Sequence, residues 1–420
     1  MRKLLISFFL ILSPFFVYAL DGVDLTLETS VKGLFTFIKD SEFNKNNSLG
    51  MEKSKMSIKQ HFETDVYGIE NLDIKFGFDL FYGNVLKSSG IKLNVSEFLL
   101  EYYNDDGSFR VGIYTDKLEV SPGKMLKASE LYEHLYYSVS EEIKKTSFQF
   151  QFLKGDFSFL CLYAPKGNWV PEINVDSDFK LNNLSSLHYL NAQYAGTKIQ
   201  AGLFGALDTD YDDVLKVYTG LWGEWVISDS FSVYSDFLYS SRSFVGHLNK
   251  SLTGVDNAIT YSPNGGVMVS IGFAKSFEII PYTLYFEAFY NSDGYYSDSF
   301  SDLGENIDFI NRYTGDYANL IKGSLLNSIN HNYYNKFTLA AHLRCDSALL
   351  DFIEPDLTVF YHFPYCLVLY PKLQLNYDFG LNISTSCVCV IDLNKSELNY
   401  SSFYPFSFRP EVCVSYSLYL

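Results

Sequence analysis

The last ten residues, EVCVSYSLYL, alternate apolar with small or polar side chains up to the final carboxylate. Successive strand residues point to opposite sides, so Val412, Val414, Tyr416, Leu418 and Leu420 share one face and Cys413, Ser415, Ser417 and Tyr419 the other. A chain that ends inside an amphipathic strand must pair it, because a lone strand leaves a row of backbone donors and acceptors open. The same alternation starts near the other end: Leu25, Leu27, Thr29, Val31, Gly33, Phe35 and Phe37 stand against Thr26, Glu28, Ser30, Lys32 and Thr36.

The first residues say where such strands would be used. Met1, Arg2 and Lys3 form a basic region, Leu4 to Val17 an apolar run of about fourteen residues, and Val17-Tyr18-Ala19 a site of small or neutral residues. This reads as a secretory signal peptide cleaved near Ala19. The run is shorter than the ~20 residues that span a bilayer, Pro14 interrupts it, and no Cys follows it to carry a lipid anchor. Beyond residue 19 no apolar stretch is long enough for a membrane helix, so a membrane role would rest on strands. Aromatics reach 18% while mean hydropathy is near zero, as expected where apolar and polar side chains alternate.

The terminal strand resembles the C-terminal strand by which bacterial outer-membrane β-barrels close and are recognised for assembly. That family usually ends on Phe or Trp; here the end is Leu420. The resemblance implies an all-β, porin-like transmembrane antiparallel barrel in outer-membrane lipid, with the barrel-assembly machinery as a partner. No motif points to one porin family.

The residues between the ends support that architecture. Met56, Ile58, Phe62 and Val66 oppose Lys53, Lys55, Lys59, His61, Glu63 and Asp65; Leu72, Ile74, Phe76, Phe78, Leu80 and Tyr82 oppose Asp73, Lys75 and Asp79. Strands this long, charged on one face and apolar on the other, suit a sheet between lipid and water. Connections alternate in length. Short ones recur at Asn104–Gly107, Lys154–Asp156, Ala195–Thr197, Ser228–Ser230 and Lys275–Glu278; long ones span Glu119–Lys144, Pro165–Ser185, Ser243–Asn264, Asn291–His331 and Leu393–Arg409. Short turns inside and long loops outside are the asymmetry of such barrels. Eighteen strands are counted, with Asp346–Pro371 uncertain enough that sixteen is the alternative. Residues 20–420 read as one domain, with too few residues ahead of Leu25 for a plug.

Removing residues 1–19 takes Arg2 and Lys3 from the 32 basic residues and leaves 49 acids against 30 bases, a net charge of −19. Such an acidic chain does not bind nucleic acid through its phosphates. Six scattered cysteines lack paired zinc spacing and read as small apolar residues, and nothing in the sequence asks for a cofactor. Asp208, Asp210, Asp212 and Asp213 read as a solvated acidic loop tip, since Gly and the closing Glu of a calcium loop are missing. No Ser sits in a GxSxG turn, and sequence spacing fixes no pair of acids with His61 or His342 on the inner face, so the expectation is not enzymatic. Trp222, Trp225, Tyr218, Tyr239, Tyr285 and Tyr290 read as interface girdles or packing.

Alternation puts Lys55, Lys59, Glu63, Asp65, Lys75, Asp79, Glu101, Arg110, Glu287 and Arg344 on the inner face as candidate selectivity groups. So many charges in a dry core would each cost several kcal/mol unless paired, which favours a hydrated lumen of sixteen or more strands over a polar core. Asn291–His331 holds Asp293, Asp298, Asp302, Glu305, Asp308 and Asp316 against Arg312 and Lys322, a mouth that would favour cations. This loop either folds inward as a constriction or stays exposed. The expected function is passive diffusion of ions and small polar solutes. The alternatives are an adhesin or ligand-binding protein that uses its long loops and, less favoured, a FadL-like transporter of hydrophobic compounds.

Overall fold

The computed structural model describes residues 23–40, 44, 47, 53–86, 88–114, 122–128, 145–165, 172–174, 186–209, 215–243, 245–251, 258–277, 279–313, 315–328, 334–345, 352–377, 379–394, 398–404 and 406–419. The reading of residues 1–19 as a signal peptide lies outside them. Eighteen strands form the wall: β1 Val23–Phe35, β2 Ser54–Ile69, β3 Leu72–Leu86, β4 Ser88–Asn104, β5 Gly107–Tyr114, β6 Lys145–Lys154, β7 Phe157–Ala164, β8 Ser186–Ala195 and β9 Ile199–Thr209. They continue as β10 Leu215–Ser228, β11 Phe231–Ser240, β12 Gly266–Ser276, β13 Tyr282–Asn291, β14 Phe337–Cys345, β15 Ile353–His362, β16 Cys366–Asn376, β17 Leu381–Asp392 and β18 Phe406–Tyr419.

Each strand pairs antiparallel with its neighbour in sequence, and β18 pairs back onto β1. The register of that seam runs from Thr26 opposite Tyr419 to Leu34 opposite Glu411. The barrel is closed, so no strand edge is left open. Closure puts the alternating terminal decapeptide and the first amphipathic strand side by side, Val31 beside Val414 and Lys32 beside Cys413.

The outer face is apolar by alternation. Leu203, Leu221 and Ile271 are each more than half exposed, as side chains that face lipid are. Cross-strand aromatic pairs reinforce it: the rings of Phe62 and Phe78 stack at 4.6 Å, and Phe76 meets Phe98 at 6.4 Å edge-on. At one end the turns are tight. Glu70-Asn71 joins β2 to β3 with Asn71 at φ 62°, and Gly155 takes φ 57° between β6 and β7, the left-handed backbone that two-residue hairpin turns require.

Several boundaries differ from the sequence reading. Phe363-Pro364-Tyr365 turns between β15 and β16, so the region Asp346–Pro371 contains the whole of β15, a turn and the start of β16, and the count is eighteen. β4 begins at Ser88, ten residues before the apolar run at Phe98, and β18 begins at Phe406, inside the connection assigned to Leu393–Arg409. In each case polar or Gly-containing stretches keep pairing because the neighbouring strand supplies the ladder.

The forty-residue connection after β13 is helical. α1, Ser297–Tyr313, and α2, Gly315–Ser328, fold inward. Leu303, Ile307 and Ile310, then Ala318, Ile321 and Leu325, follow helical spacing and are all at or below 1% exposure. Burying each larger side chain contributes roughly 1.5–3 kcal/mol. Asp298 in the first turn and Arg312 in the last complement the dipole of α1.

Candidate functional site: an asymmetric lumen

The inner face divides into two unlike parts. Along β18, β1, β2, β3, β4 and β5 it is charged and reached by solvent. Lys32 pairs with Glu411 at 2.8 Å across the seam, Lys75 with Asp65 at 3.3 Å, and Arg110 with Glu101 at 2.8 Å. Lys59 lies 3.3 Å from Asp79, whose other oxygen is 2.7 Å from His61 Nδ1; His61 Nε2 is 3.1 Å from Glu63. The open pairs, Lys32–Glu411 and Lys75–Asp65, add little stability each. They hold charges of both signs along one solvent-reached strip of the inner face.

Around much of the rest of the barrel the inner face is dry, while Arg344 of β14 and Lys372 of β16 stay exposed on it. Leu162, Tyr189, Phe204, Ala206, Tyr218, Leu238, Met268, Phe289, Ala340, Phe360 and Val368 are buried in one apolar cluster with the inward-folded helices. Trp222, Tyr218 and Tyr285 belong to this inner side, whereas Trp225, Tyr239 and Tyr290 face outward, so only the second three fit a girdle. Trp222 packs against the wall at Gly202, where an added Cβ would meet Nε1 at 2.5 Å. Their common position near strand ends gave both groups the same reading; the parity of each residue along its strand separates them.

Three connections interlock over this dry part. Tyr295 donates to the Gly246 carbonyl at 3.0 Å, stacks on His247 at 4.6 Å and meets Phe403 edge-on at 4.8 Å. The Asn306 amide donates to Leu248 O at 2.7 Å, and Tyr400 lies 4.2 Å from the His362 ring. Lys39, from the first long connection, reaches Ser401 Oγ at 3.1 Å and Asp392 at 3.6 Å, tying the last connection to the first. Burial pushes the Tyr295 phenol up, and it pushes the Asp293 carboxyl up against the downward pull of His247 and Lys336.

Glu287 is the main correction among the candidate selectivity groups. It points inward from β13, as alternation requires, but is 0% exposed and lines no water. Its carboxylate accepts three consecutive backbone N–H groups, from Lys124 at 2.6 Å, Met125 at 3.0 Å and Leu126 at 2.6 Å, together with the Tyr234 hydroxyl at 2.8 Å. Segment 122–128 is thereby pinned across the inside of the barrel, with Leu126 and Ala128 fully buried. A carboxylate with four donors is satisfied without water, so the group is a tether.

The other candidates fall as follows. Lys59, Glu63, Asp65, Lys75, Asp79, Glu101 and Arg110 line the wet wall in the pairs given above, and Lys55 is exposed on the same face. Arg344 lies on the inner face of β14, 5.3 Å from the Tyr285 ring centre. His342 stacks on that ring at 5.9 Å. Asp208 is buried on the inner face of β9 rather than in a loop, while Asp210, Asp212 and Asp213 lie outside the described residues.

No family model matches the chain, and no curated protein does. Solved structures do. OccAB1 of Acinetobacter baumannii is similar with a TM-score of 0.58 at 9% identity, covering 96% of this chain and 97% of its own. OccK2 (OpdF) of Pseudomonas aeruginosa gives 0.57 at 11%, covering 95% and 98%. The outer membrane protein opdK from the same organism gives 0.55 at 10%, covering 95% and 99%. The likeness spans both chains nearly whole and establishes the fold as a porin-type β-barrel.

Proposed function

We propose that this barrel is an outer-membrane channel through which ions and small polar solutes pass by diffusion, along the wall formed by β18 and β1 to β5. One observation carries the reading: charges of both signs remain solvent-reached on that wall while loops fill the opposite side with a dry core. A barrel serving only as an anchor has no need of a hydrated, charged strip inside. The apolar outer face fits lipid, and the porin-type fold of outer-membrane neighbours supports the location. Export would follow cleavage near Ala19.

At the mouth, Asp298, Asp302, Glu305 and Asp308 lie along the exposed side of α1, with Lys250 paired to Glu305 at 3.2 Å. Such a surface concentrates cations. In planar bilayers under a salt gradient, neutralising Lys55, Lys59 and Arg110 together is expected to shift the reversal potential further towards cations. An unchanged or opposite shift in a conducting triple variant would place the passage elsewhere.

A further inference from the structure

His61 sits midway along the wet wall with a carboxylate oxygen at each ring nitrogen: Asp79 Oδ1 at 2.7 Å from Nδ1 and Glu63 Oε2 at 3.1 Å from Nε2. An ionised carboxylate only accepts, so both nitrogens must donate, and the ring that satisfies both contacts is the imidazolium. A neutral ring keeps one N–H and would turn a lone pair towards one of the two carboxylates. The two are not equally free to leave. Asp79 is 8% exposed at its side chain and is also held by Lys59, whereas Glu63 is 29% exposed.

The surroundings set the charge count. On its own strand His61 is flanked by Lys59 and Glu63; from β1, Glu28 stands opposite it in register; from β3, Asp79 is its register partner, with Lys75 held by Asp65 two inward-facing pairs further on. Beyond β3, Glu97 of β4 stands opposite Gly77. With the imidazolium in place, Lys59, His61, Glu63 and Asp79 sum to zero; without its proton they carry one negative charge.

We infer that His61 sets the charge selectivity of the passage, holding Asp79 and Glu63 as a doubly donating imidazolium whose loss of a proton to the lumen frees the Glu63 carboxylate. The inference rests on the channel reading and adds a residue and a sign to it: cation preference rises with pH. A single charge about 10 Å from a permeating ion in water changes its local concentration about twofold, so the cation-to-anion permeability ratio should rise about fourfold once the proton is lost.

The test is the reversal potential under a potassium chloride gradient from about pH 5 to about pH 9, on the refolded full chain. The unmodified protein should move towards cations as pH rises. His61→Gln should hold the high-pH preference throughout, and His61→Lys the low-pH preference, while both keep the barrel's heat-modifiable band. A conducting protein with a flat pH profile overturns the inference, and so does His61→Gln if it retains the step. Nitrogen-15 NMR of labelled histidine, read without any conduction, separates the two levels. A silent barrel whose His61 ring is doubly protonated fails the channel reading, and a conducting one whose ring is neutral with one N–H at low pH fails this one.

Discussion

Replacing Glu287 with Ala should release segment 122–128 from the wall and raise single-channel conductance. Three adjacent N–H groups and the Tyr234 hydroxyl lose their acceptor together, in a place that water does not reach. Leaving buried donors unpaired costs on the order of 3–5 kcal/mol here. The segment's own anchors, Leu126 and Ala128, cannot offset that loss without moving. Glu287→Gln keeps one acceptor oxygen but turns an NH2 towards donors, so it should fall between the parent and the Ala variant. Conductance, current noise and protease sensitivity at 122–128 should all follow that order. If both variants conduct like the parent, the segment is held by its apolar contacts and the carboxylate is incidental.

Gly112→Ala should prevent the barrel from assembling. Gly112 lies in β5 with φ 153°, a conformation that L side chains rarely adopt, and an added Cβ would stand 1.9 Å from the Phe98 carbonyl oxygen of β4. The strand pair must shift register or part, so the loss is on the order of 4 kcal/mol or more. Gly33→Ala is the control: its Cβ would find only the Val412 oxygen, at 3.9 Å. In refolding assays read by the heat-modifiable band, Gly33→Ala should fold and Gly112→Ala should not. Equal yields would mean that β4 and β5 do not approach as described.

Much of the wall was legible from period-two alternation alone. It put Lys59, Glu63, Asp65, Asp79 and Arg110 on the inner face, gave eighteen strands as the full count, and placed an amphipathic strand at each end of the chain, where the seam forms. What alternation cannot show is how a wall faces its contents. Glu287 looks like any other inward acid, yet it differs from Glu63 because a loop 161 residues away in sequence covers it. The Pro122-Gly123 turn inside a long connection, and one acid within the aromatic strand YTLYFEAFYN, were the available hints. The helices of the long connection were also readable, in the spacing of Leu303, Ile307 and Ile310, but a strand-period reading passes over them. The close approach at Gly112 depends on the pairing of β4 with β5 and has no signature in local sequence.

Thiol block in single-channel recordings locates the passage within the barrel. Lys59→Cys on the wet wall and Ala206→Cys within the dry core should each be recorded before and after a charged, thiol-specific reagent, with the unmodified chain as control for its own six cysteines. Stepwise conductance is expected in all three proteins, and a drop on reagent addition for Lys59→Cys alone. No conductance steps at all, or block at Ala206→Cys with Lys59→Cys untouched, would contradict it.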